Sequence, residues 1–463
     1  MAHRFDPTIL REYDVRGVFG DTLGPDDARA LGRSFATRVR RHGGRRIAVG
    51  CDGRISSPLL EHALVEGLTA SGADVVRVGL GPTPMLYFAE ASMEDVQGGI
   101  QVTGSHNPAN HNGFKLVHAG HPVFGAELRR LGDMAAAGDW LDGVGRWERR
   151  EILTRYVERL LSGLDGAARD GLGALRIGWD AGNGAAGPAI EALTARLPGE
   201  HHLLFTAVDG TFPHHHPDPT EERNLADLRA LVAAKRLDFG VAFDGDGDRI
   251  GVVDAIGRTI WGDQLLMIFA EDVLRDRPGA TVLADVKASG ALFRRIAELG
   301  GRPEMAPTGH SVIKSRMKQI GAPLAGEMTG HLFFADRWYG FDDALYAALR
   351  LMAASVRLGR SVTALRSAMP ELAGTPELRI PTTDQRKFAV VAEVRERLAR
   401  QGAQVTAVDG VRVDRPDGWW LLRASNTQPM LSARAESADP AGLGRLLAEM
   451  DGHLAESGVV RPG

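Results

Sequence analysis

The sequence predicts an α/β protein made of three similar mixed α/β domains followed by a smaller α+β domain. Two observations predict this. A unit of strand, helix and strand occurs three times before about residue 374, and such alternation indicates parallel strands joined by right-handed crossovers. Beyond that point short extended runs lie between two helical patterns, which is typical of an antiparallel sheet. The length of 463 residues also favours three or four domains.

The three repeated units share a first extended run that ends in aspartate and a second run that ends in a turn. The first runs are Arg46–Asp52, Leu175–Asp180 and Thr281–Asp285, and the second runs are Asp74–Val78, His202–Thr206 and Pro303–Ala306. Helical patterns separate the two, as at Leu59–Leu68, where apolar residues recur about every 3.6 positions. We therefore expect α/β domains at residues 1–152, 153–256 and 257–371.

The remaining residues, 372–463, are expected to form the α+β domain. Its predicted elements are an extended run at Glu377–Pro381, a helix at Phe388–Gln401, strands at Gln404–Val413, Trp419–Ala424 and Leu431–Glu436, and a terminal helix.

Composition excludes several classes of protein. A formal net charge of −4 gives no basic surface for nucleic acid. The single cysteine, Cys51, excludes an internal disulfide framework and a thiolate zinc cluster, and favours a reducing compartment. The first residues lack the apolar core of a signal peptide, and no apolar stretch approaches the roughly 18 residues that span a bilayer. We expect a cytoplasmic protein without nucleic-acid or membrane partners.

A polar loop follows the third extended run of each unit. These loops are Thr103–Pro108, Asp244–Arg249 and Gly326–His331. Ligands of open α/β sheets bind beyond the carboxyl ends of the strands. The loops offer, in turn, a hydroxyl group, three carboxylates, and a carboxylate with a hydroxyl and an imidazole. A nucleophile, a metal site and a loop that binds hydroxyl groups together favour phosphoryl transfer on a sugar.

The aspartate loop carries the strongest signal. Asp244, Asp246 and Asp248 alternate with glycines, so that the three carboxylates point the same way, and without a cation their mutual repulsion should raise their pKa values. A calcium loop of the EF-hand type needs glycine at its sixth and glutamate at its twelfth position, where this chain has Arg249 and Ala255. Ligation by oxygen alone favours Mg²⁺ over zinc or copper. A solvated acidic turn is the alternative, but it leaves the glycines unexplained.

Ser105 is the candidate nucleophile. A serine in a glycine-flanked turn is commonly a turn or cap residue, and no Gly-x-Ser-x-Gly elbow surrounds it. Beside the aspartate loop it is predicted to carry a phosphoryl group, whose charge His106 and Lys115 are close enough in sequence to balance. Arg249 is predicted to contact the phosphate or to steady its own loop.

A fourth loop lies between two strands of the C-terminal domain. Arg423, Ser425, Asn426 and Thr427 offer a guanidinium, two hydroxyl groups and an amide, which is a set suited to binding phosphate. The alternative is that these residues only close a hairpin.

These loops together resemble the α-D-phosphohexomutase superfamily, most closely its bacterial phosphomannomutase/phosphoglucomutase branch. The resemblance extends in the same order from Glu12–Gly17 to Arg423–Thr427. It implies four domains around a central cleft and interconversion of the 1- and 6-phosphates of mannose or glucose. It also implies a phosphoserine at Ser105, Mg²⁺ held by Ser105 and the three aspartates, and hexose 1,6-bisphosphate as intermediate and activator.

The resemblance further implies that His106 or Lys115 moves protons and that Glu327 bridges two sugar hydroxyl groups. Residues expected to bind substrate are Tyr13, Arg16, Lys287, His310, Glu327, Thr329, His331, Arg423, Ser425, Asn426 and Thr427, and Trp338 is expected on the cleft wall. Thr329 stands where the family usually has serine, so its methyl group could narrow the sugar pocket. The implied partners are sugar phosphates, and the implied state is a monomer or weak homodimer.

Alternatives remain. Gly182, Gly184 and Gly187 form the pattern Gly-x-Gly-x-x-Gly after a strand, which could make the protein a dinucleotide-dependent oxidoreductase; a lone match is weak, and we interpret it as a tight turn. The run His214–His216 could bind a metal, but its flanking prolines favour a rigid loop. A non-catalytic sugar-phosphate binder is the rival from another class. The sequence leaves open the preference among mannose, glucose and glucosamine phosphates.

Overall fold

A computed structural model describes residues 2–164, 166–425 and 429–462. Four sheets follow one another along the chain, with seven, five, four and six strands. The first three are mixed and the fourth is antiparallel, which confirms the predicted fold class. None of the helices in the described ranges is long and apolar enough to cross a membrane.

The first sheet contains the serine loop. Its strand order is β1-β5-β4-β2-β3-β7, with β6 beside β5. The elements of this unit are β1 (Val15–Val18), α1 (Pro25–Arg41), β2 (Arg46–Cys51), α2 (Ser57–Ala70), β3 (Asp74–Leu80), α3 (Thr83–Ser92), β4 (Gly98–Val102), β5 (His111–His118), β6 (His121–Pro122), α4 (Ala126–Ala137) and β7 (Trp147–Arg149). Strand β2 pairs in parallel with β3 and β4, as the crossover pattern predicts, whereas β5 runs antiparallel to β4.

The second sheet contains the aspartate loop and has the order β12-β11-β10-β8-β9. Its elements are α5 (Leu153–Ser162), α6 (Gly166–Gly171), β8 (Arg176–Asp180), α7 (Gly187–Thr194), β9 (Glu200–Leu204), α8 (Ala226–Lys235), β10 (Phe239–Phe243), β11 (Ile250–Asp254) and β12 (Thr259–Ile260), with 3₁₀ turns at Leu172–Ala174 and Glu222–Leu225. Strands β8, β9 and β10 are parallel, and β11 returns antiparallel to β10.

The third sheet repeats this arrangement in the order β14-β13-β15-β16. Its elements are α9 (Gly262–Asp276), β13 (Thr281–Asp285), α10 (Gly290–Glu298), β14 (Arg302–Ala306), α11 (His310–Ile320), β15 (Leu324–Gly326), β16 (Leu332–Phe334), α12 (Ala344–Leu358) and α13 (Val362–Ser367). In all three units the functional loop connects the third strand to an antiparallel fourth strand. Because the loop joins two neighbouring strands, its side chains stay at the sheet edge.

The fourth sheet differs in one respect from the prediction. Its elements are β17 (Ala373–Gly374), β18 (Leu378–Pro381), α14 (Asp384–Arg400), β19 (Val405–Thr406), β20 (Val411–Arg415), β21 (Gly418–Ala424), β22 (Met430–Ser437) and α15 (Pro440–Glu456). The single strand predicted at Gln404–Val413 is wrong. Strands β19 and β20 pair antiparallel, with Val405 opposite Val413, because Asp409-Gly410 between them is a turn-forming dipeptide.

Packing separates the fourth domain from the other three. The largest apolar core is shared by the first three sheets and includes buried side chains of α3, α5, α7, α9 and α12. The antiparallel sheet has its own core with α14 and α15. One shared core therefore holds together the three sheets that carry the serine loop (Thr103–Pro108), the aspartate loop (Asp244–Arg249) and the loop Gly326–His331, which we call the sugar loop. The boundaries at residues 152, 256 and 371 stay predictions.

Candidate active site

Ser105 is directed toward the aspartate loop. It adopts a left-handed conformation with φ of 49°, and its backbone N–H donates to Oγ1 of Thr103 at 2.8 Å. Its Oγ donates to Oδ2 of Asp244 at 2.8 Å and lies 3.2 Å from Nδ1 of His106. A Cβ on Gly245 would lie 2.4 Å from the Ser105 carbonyl oxygen, so glycine there permits the two loops to approach this closely.

Arg54 holds the serine loop, and the sequence analysis missed it. The side chain is buried, with 1% of the residue exposed, and its Nε bonds Asp52 at 3.2 Å. Its terminal nitrogens donate to the carbonyl groups of Ser105 (2.7 Å), Asn107 (2.7 Å), Pro108 (2.6 Å) and His111 (3.0 Å). Arg54 comes just after β2, at the sheet edge where Ser105 lies. This position is the signal that could have identified it.

The three aspartates form one buried cluster. None of them is exposed, and one oxygen of each lies within 4.8 Å of the others. Nζ of Lys115, on β5, donates to Oδ2 of Asp246 at 2.7 Å and also to Asp248. Oδ1 of Asp246 and Oδ1 of Asp248 have no hydrogen-bond partner among the described residues. Buried oxygens without partners are what a hard cation such as Mg²⁺ would satisfy.

The carboxylates of this cluster differ in their electrostatics. Burial, together with the charges of Asp246 and Asp248, holds the pKa of Asp244 well above its usual value, as expected. Burial also acts to raise the pKa of Asp246, but the Lys115 ammonium outweighs it and the net shift is downward. The expectation of raised pKa values is therefore wrong for Asp246, since it did not include a buried lysine from another domain.

His106 and Lys115 differ in charge. Burial, followed by the charges of Arg249 and Arg16, holds the pKa of His106 well below its usual value, so the ring is neutral at pH 7. Burial lowers the pKa of Lys115, but Asp246 and Asp248 raise it further, so the ammonium is charged. With Ser105 unphosphorylated, Lys115 supplies positive charge beside the aspartates and His106 does not. That both residues balance the charge of a phosphate on Ser105 stays a prediction.

Arg249 connects the aspartate loop to the sugar loop. Its Nε donates to Nε2 of His331 at 2.9 Å. The backbones meet beside this contact, where the N–H of Ile250 donates to the carbonyl of Gly330 at 3.1 Å. In the sugar loop, Glu327 accepts a hydrogen bond from the N–H of Gly309 at 2.7 Å. The loops of the second and third sheets therefore form a continuous wall.

The predicted phosphate loop lies on the fourth domain, and a residue missed by the sequence analysis supports it. Nε of Arg423 donates to Oδ2 of Asp409 at 2.9 Å, and the same oxygen accepts from the N–H of Thr308 at 3.1 Å. Asp409 lies in the turn between β19 and β20, where the sequence analysis predicted one continuous strand. Ser425, which follows Arg423 by two residues, is also buried. Asn426 and Thr427 lie outside the described residues.

Residues of all four domains line one cleft of about 550 Å³. Tyr13 and Arg16 of the first domain border it: the Tyr13 hydroxyl donates to the carbonyl of Thr308 at 2.6 Å, and Arg16 donates to the carbonyl of Gly104 at 2.7 Å. The predicted residues among its lining are Tyr13, Arg16, His106, Arg249, Lys287, His310, Glu327, Thr329, His331, Arg423 and Ser425. Ser105, Lys115 and the three aspartates are buried and are not part of that lining.

Trp338 lies elsewhere. Its ring stacks on Tyr346 with centroids 4.4 Å apart, and the guanidinium of Arg159 lies 4.7 Å from its ring centroid. The tryptophan belongs to the shared apolar core. The expectation that it lines the cleft is wrong, because packing between the domains takes up its ring.

The glycine pattern at residues 182–187 and the histidine run at 214–216 both have structural explanations. The N–H of Ala185, within the glycine pattern, donates to the carbonyl of Gly245 at 2.9 Å, and a Cβ on Gly187 would lie 1.9 Å from the carbonyl oxygen of Thr206. The pattern thus packs a tight turn against the aspartate loop. The three histidines 214–216 contact Asn183 (2.7 Å), Asp180 (3.0 Å) and the carbonyl of His106 (2.6 Å), respectively.

Three mixed sheets and an antiparallel domain around a cleft, with a serine against three carboxylates, define the phosphohexomutase class. Four family models match the chain: phosphoglucomutase/phosphomannomutase alpha/beta/alpha domain I at residues 7–140, domain II at 154–257, domain III at 261–372, and the C-terminal domain at 377–453. The chain belongs to the phosphoglucomutase/phosphomannomutase family.

Individual relatives agree with this assignment. The chain is 44% identical over 431 residues to a phosphomannomutase/phosphoglucomutase of Pseudomonas aeruginosa, covering 93% of this chain and 92% of that one. It is 41% identical over 442 residues to a phosphoglucomutase of Neisseria meningitidis serogroup A, covering 95% of each. A crystal structure of a phosphoglucomutase/phosphomannomutase family protein from Burkholderia thailandensis superposes with a TM-score of 0.92 at 41% identity, covering 99% of this chain and 100% of that chain.

Proposed function

We propose that this chain interconverts the 1- and 6-phosphates of mannose and glucose through phospho-Ser105 and a hexose 1,6-bisphosphate. One observation carries the proposal: Oγ of Ser105 bonds Asp244 at 2.8 Å within a cluster of three buried carboxylates and a charged lysine. A hydroxyl group placed against carboxylates and an ammonium is suited to phosphoryl exchange, in which positioning and charge supply most of the catalysis.

The metal in this proposal is Mg²⁺, held by Asp244, Asp246, Asp248 and the Ser105 phosphate. Oxygen-only donors and two unpartnered carboxylate oxygens, Oδ1 of Asp246 and Oδ1 of Asp248, support it. When bound, the ion would neutralise charge on the transferring phosphoryl group.

The sugar hydroxyl attacks the phosphorus atom of phospho-Ser105, and the bond between that phosphorus and Oγ of Ser105 breaks. The hydroxyl proton passes to a base. Lys115 is charged, which suits it to balance the negative charge that develops on Oγ of Ser105 as the phosphoryl group leaves. Neutral His106, 3.2 Å from that oxygen, is placed to accept a proton. Arg249 faces the cleft and holds the phosphate.

The remaining walls bind substrate in this proposal. Glu327, Thr329 and His331 bind sugar hydroxyl groups, and Arg423, Ser425, Asn426 and Thr427 bind the phosphate that is not reacting. Tyr13, Arg16, Lys287 and His310 complete the walls. The bisphosphate must turn end over end before its second phosphoryl group returns to Ser105, so one phosphate loop serves both ends.

Ser105 provides the main test. Peptide mapping of purified protein should find phosphate on Ser105 in a fraction of molecules. Ser105→Ala should abolish sustained turnover, whereas the control Ser355→Ala should retain it, since Ser355 is a buried serine whose Oγ donates to the Met352 carbonyl within α12. Near wild-type turnover by Ser105→Ala would contradict the proposal.

Two further assays separate the rivals. Chelation by EDTA should stop turnover, and an unchanged rate would exclude the metal role. A coupled assay with mannose, glucose and glucosamine phosphates defines the substrates. Ligand binding without turnover would favour a binding protein, and NAD(P) absorbance in purified protein would favour an oxidoreductase.

We also propose a cytoplasmic monomer or weak homodimer. Burial raises the pKa of the one thiol, Cys51, to about 12, which makes it unreactive. The most exposed large apolar side chains, Ile55, Val144, Ile256 and Val460, belong to three different domains and so do not mark one extensive interface. Light scattering across a concentration series measures the state, and a concentration-independent larger oligomer would contradict it.

A further inference from the structure

The serine loop has a contact with the second domain that the proposed function does not use. Nε2 of His216 lies 2.6 Å from the carbonyl oxygen of His106, the residue that follows Ser105. A carbonyl group only accepts hydrogen bonds, so Nε2 carries a proton and donates it. In the described part of the chain, His216 belongs neither to the cleft lining nor to the aspartate cluster. Its contact therefore acts on the backbone that carries the nucleophile.

This contact completes a set of hydrogen bonds to the carbonyl groups of the serine loop. Arg54 holds three of the four carbonyl groups at positions 105–108. The fourth, that of His106, is held by His216. Four consecutive carbonyl groups are thus fixed by two side chains, one from the first domain and one from the second.

The serine loop needs this support because Ser105 adopts a strained conformation. Its φ of 49° lies in the left-handed region, which is costly for a residue with a Cβ atom. Such conformations persist where the surrounding contacts over-determine them. The conformation directs Oγ at Asp244, 2.8 Å away. A shift of the peptide that follows Ser105 would therefore move Oγ relative to the aspartate cluster.

His216 is itself held in place from the second sheet. Asp180, at the end of β8, is not exposed and accepts a hydrogen bond from Nε2 of His215 at 3.0 Å. Nδ1 of His215 lies 3.0 Å from the carbonyl oxygen of His216. Both nitrogens of His215 face acceptors, so a ring that donates to both is an imidazolium. The flanking Pro213 and Pro217 further restrict the backbone of the run.

The residues just before the histidine run pack tightly on the first domain. A Cβ on Gly210 would lie 2.6 Å from Cα of Arg54, so the two backbones meet with no room for a side chain. The guanidinium carbon of Arg54 lies 5.3 Å from the ring centroid of Phe212. Packing therefore sets the distance between the run and the serine loop, and the His216 hydrogen bond uses that distance.

We propose that His216 is a positioning residue for phosphoryl transfer, which holds the His106 carbonyl and thereby keeps Oγ of Ser105 directed at the aspartate cluster. This inference rests on the proposed function. Transfer requires close alignment of the reacting atoms, whereas the cleft that binds the sugar phosphate does not include His216. Loss of the hydrogen bond should therefore lower kcat and leave KM almost unchanged.

Variants of the histidine run in the full-length protein test the proposal. His216→Ala should lower kcat roughly ten- to hundredfold and change KM less than about twofold. His216→Gln should recover kcat to within about threefold of wild type, because its amide donates from nearly the position of Nε2. His216→Asn should not recover it, because its side chain is one methylene shorter. His214→Ala is the matched control and should keep wild-type kcat, since His214 belongs to the same run but contacts Asn183, at 2.7 Å.

Phosphorylation of Ser105 gives a second readout that a role in folding alone would not move. Dephosphorylated protein is mixed with glucose 1,6-bisphosphate, and intact mass follows the incorporation of phosphate. In this step a phosphorus–oxygen bond of the bisphosphate breaks, a bond from phosphorus to Oγ forms, and the hydroxyl proton passes to the released sugar oxygen. His216→Ala should slow the step by the same factor as kcat, and His216→Gln should restore it.

Several results would overturn the proposal. Wild-type rates in His216→Ala would show that the hydrogen bond does not position Ser105. Equal losses in the glutamine and asparagine variants would assign the effect to packing of the imidazole, and this comparison also replaces His216→Ala if that variant does not fold. If the wild-type protein is neither phosphorylated on Ser105 nor active, the proposed function fails and this inference fails with it.

Discussion

At the scale of single residues, the predicted phosphate loop, Arg423–Thr427, depends on Asp409, which contacts both the third and the fourth domain. Asp409 accepts hydrogen bonds from both Arg423 and the backbone of Thr308. A guanidinium bonded at Nε has four further N–H groups with which to hold two phosphate oxygens. Burial acts to lower the pKa of the Arg423 guanidinium, but the negative charge of Asp409 outweighs this effect, and the net shift in the pKa of Arg423 is upward.

We therefore expect Arg423→Ala to lower kcat/KM by roughly ten- to two-hundredfold, the equivalent of about 1.5–3 kcal/mol for hydrogen bonds to a charged group. Arg423→Lys should recover only part of this loss, since it keeps the charge but not the planar fork. The loss should be similar for mannose and glucose phosphates, because the residue binds phosphate and not the sugar. Steady-state kinetics with both substrates measures it.

Glu327→Gln is the matched contrast. This residue is predicted to bind sugar hydroxyl groups, so its substitution should change the ratio of kcat/KM between the two sugars. An Arg423→Ala effect that depends strongly on the sugar, or no effect at all, would contradict the phosphate assignment.

At the scale of one loop, the aspartates should differ in what they contribute to the metal-free fold. Asp246→Asn removes a partner of buried Lys115 and should lower the free energy of unfolding by about 1–3 kcal/mol. Asp244→Asn removes a carboxylate whose ionisation burial opposes, so the melting temperature in EDTA should be unchanged or higher. Both variants should lower kcat about a hundredfold or more, because each removes a proposed Mg²⁺ ligand. Equal melting temperatures for the two variants would be the contrary result.

At the scale of a helix, Asp343 makes stability depend on pH. It caps α12, accepting from the N–H of Tyr346 at 2.9 Å and from the Tyr156 hydroxyl at 2.8 Å. Burial raises its pKa to about 7, so the folded state binds this proton more tightly than the unfolded state does. The associated stability is present below about pH 4 and is lost as pH rises toward 7, by up to about 4 kcal/mol.

Asp343→Asn retains an acceptor for the cap but cannot ionise. Relative to wild type, its free energy of unfolding should therefore rise between pH 4.5 and pH 8. Urea denaturation at both values checks this, and parallel pH profiles for the two proteins would show that Asp343 does not titrate in this range.

At the scale of the whole molecule, Arg412 is one of the residues that join the fourth domain to the third. Arg412 is 2% exposed and donates to the carbonyl groups of Val286 and Ala288 at 2.7 and 2.8 Å. Its guanidinium carbon lies 3.6 Å from the ring centroid of Trp419. Because the fourth domain has its own core, such contacts at the interface hold the phosphate loop against the cleft.

We expect Arg412→Ala to leave the carbonyl groups unpaired and loosen the interface, raising KM at least about tenfold for both sugars. X-ray scattering should show a larger radius of gyration in the absence of ligand. Arg415→Ala is the control, since Arg415 lies on the same strand but pairs with Glu449 inside its own domain at 2.6 Å. If both variants behave like wild type, the interface does not depend on Arg412.

The sequence by itself determined the repeated α/β units, the polar loops that follow the third strands, and the family. Alternating elements and short loop motifs are local patterns, and local patterns can be recognised without knowing which segments meet. Only the tertiary structure decided the partners of those loops: Lys115 within the aspartate cluster, Arg54 beneath Ser105, Asp409 beside Arg423, and Trp338 in the core instead of the cleft. Lys115 and Asp246 are 131 residues apart. No periodicity encodes such a meeting, because it depends on how separate sheets pack around one shared core.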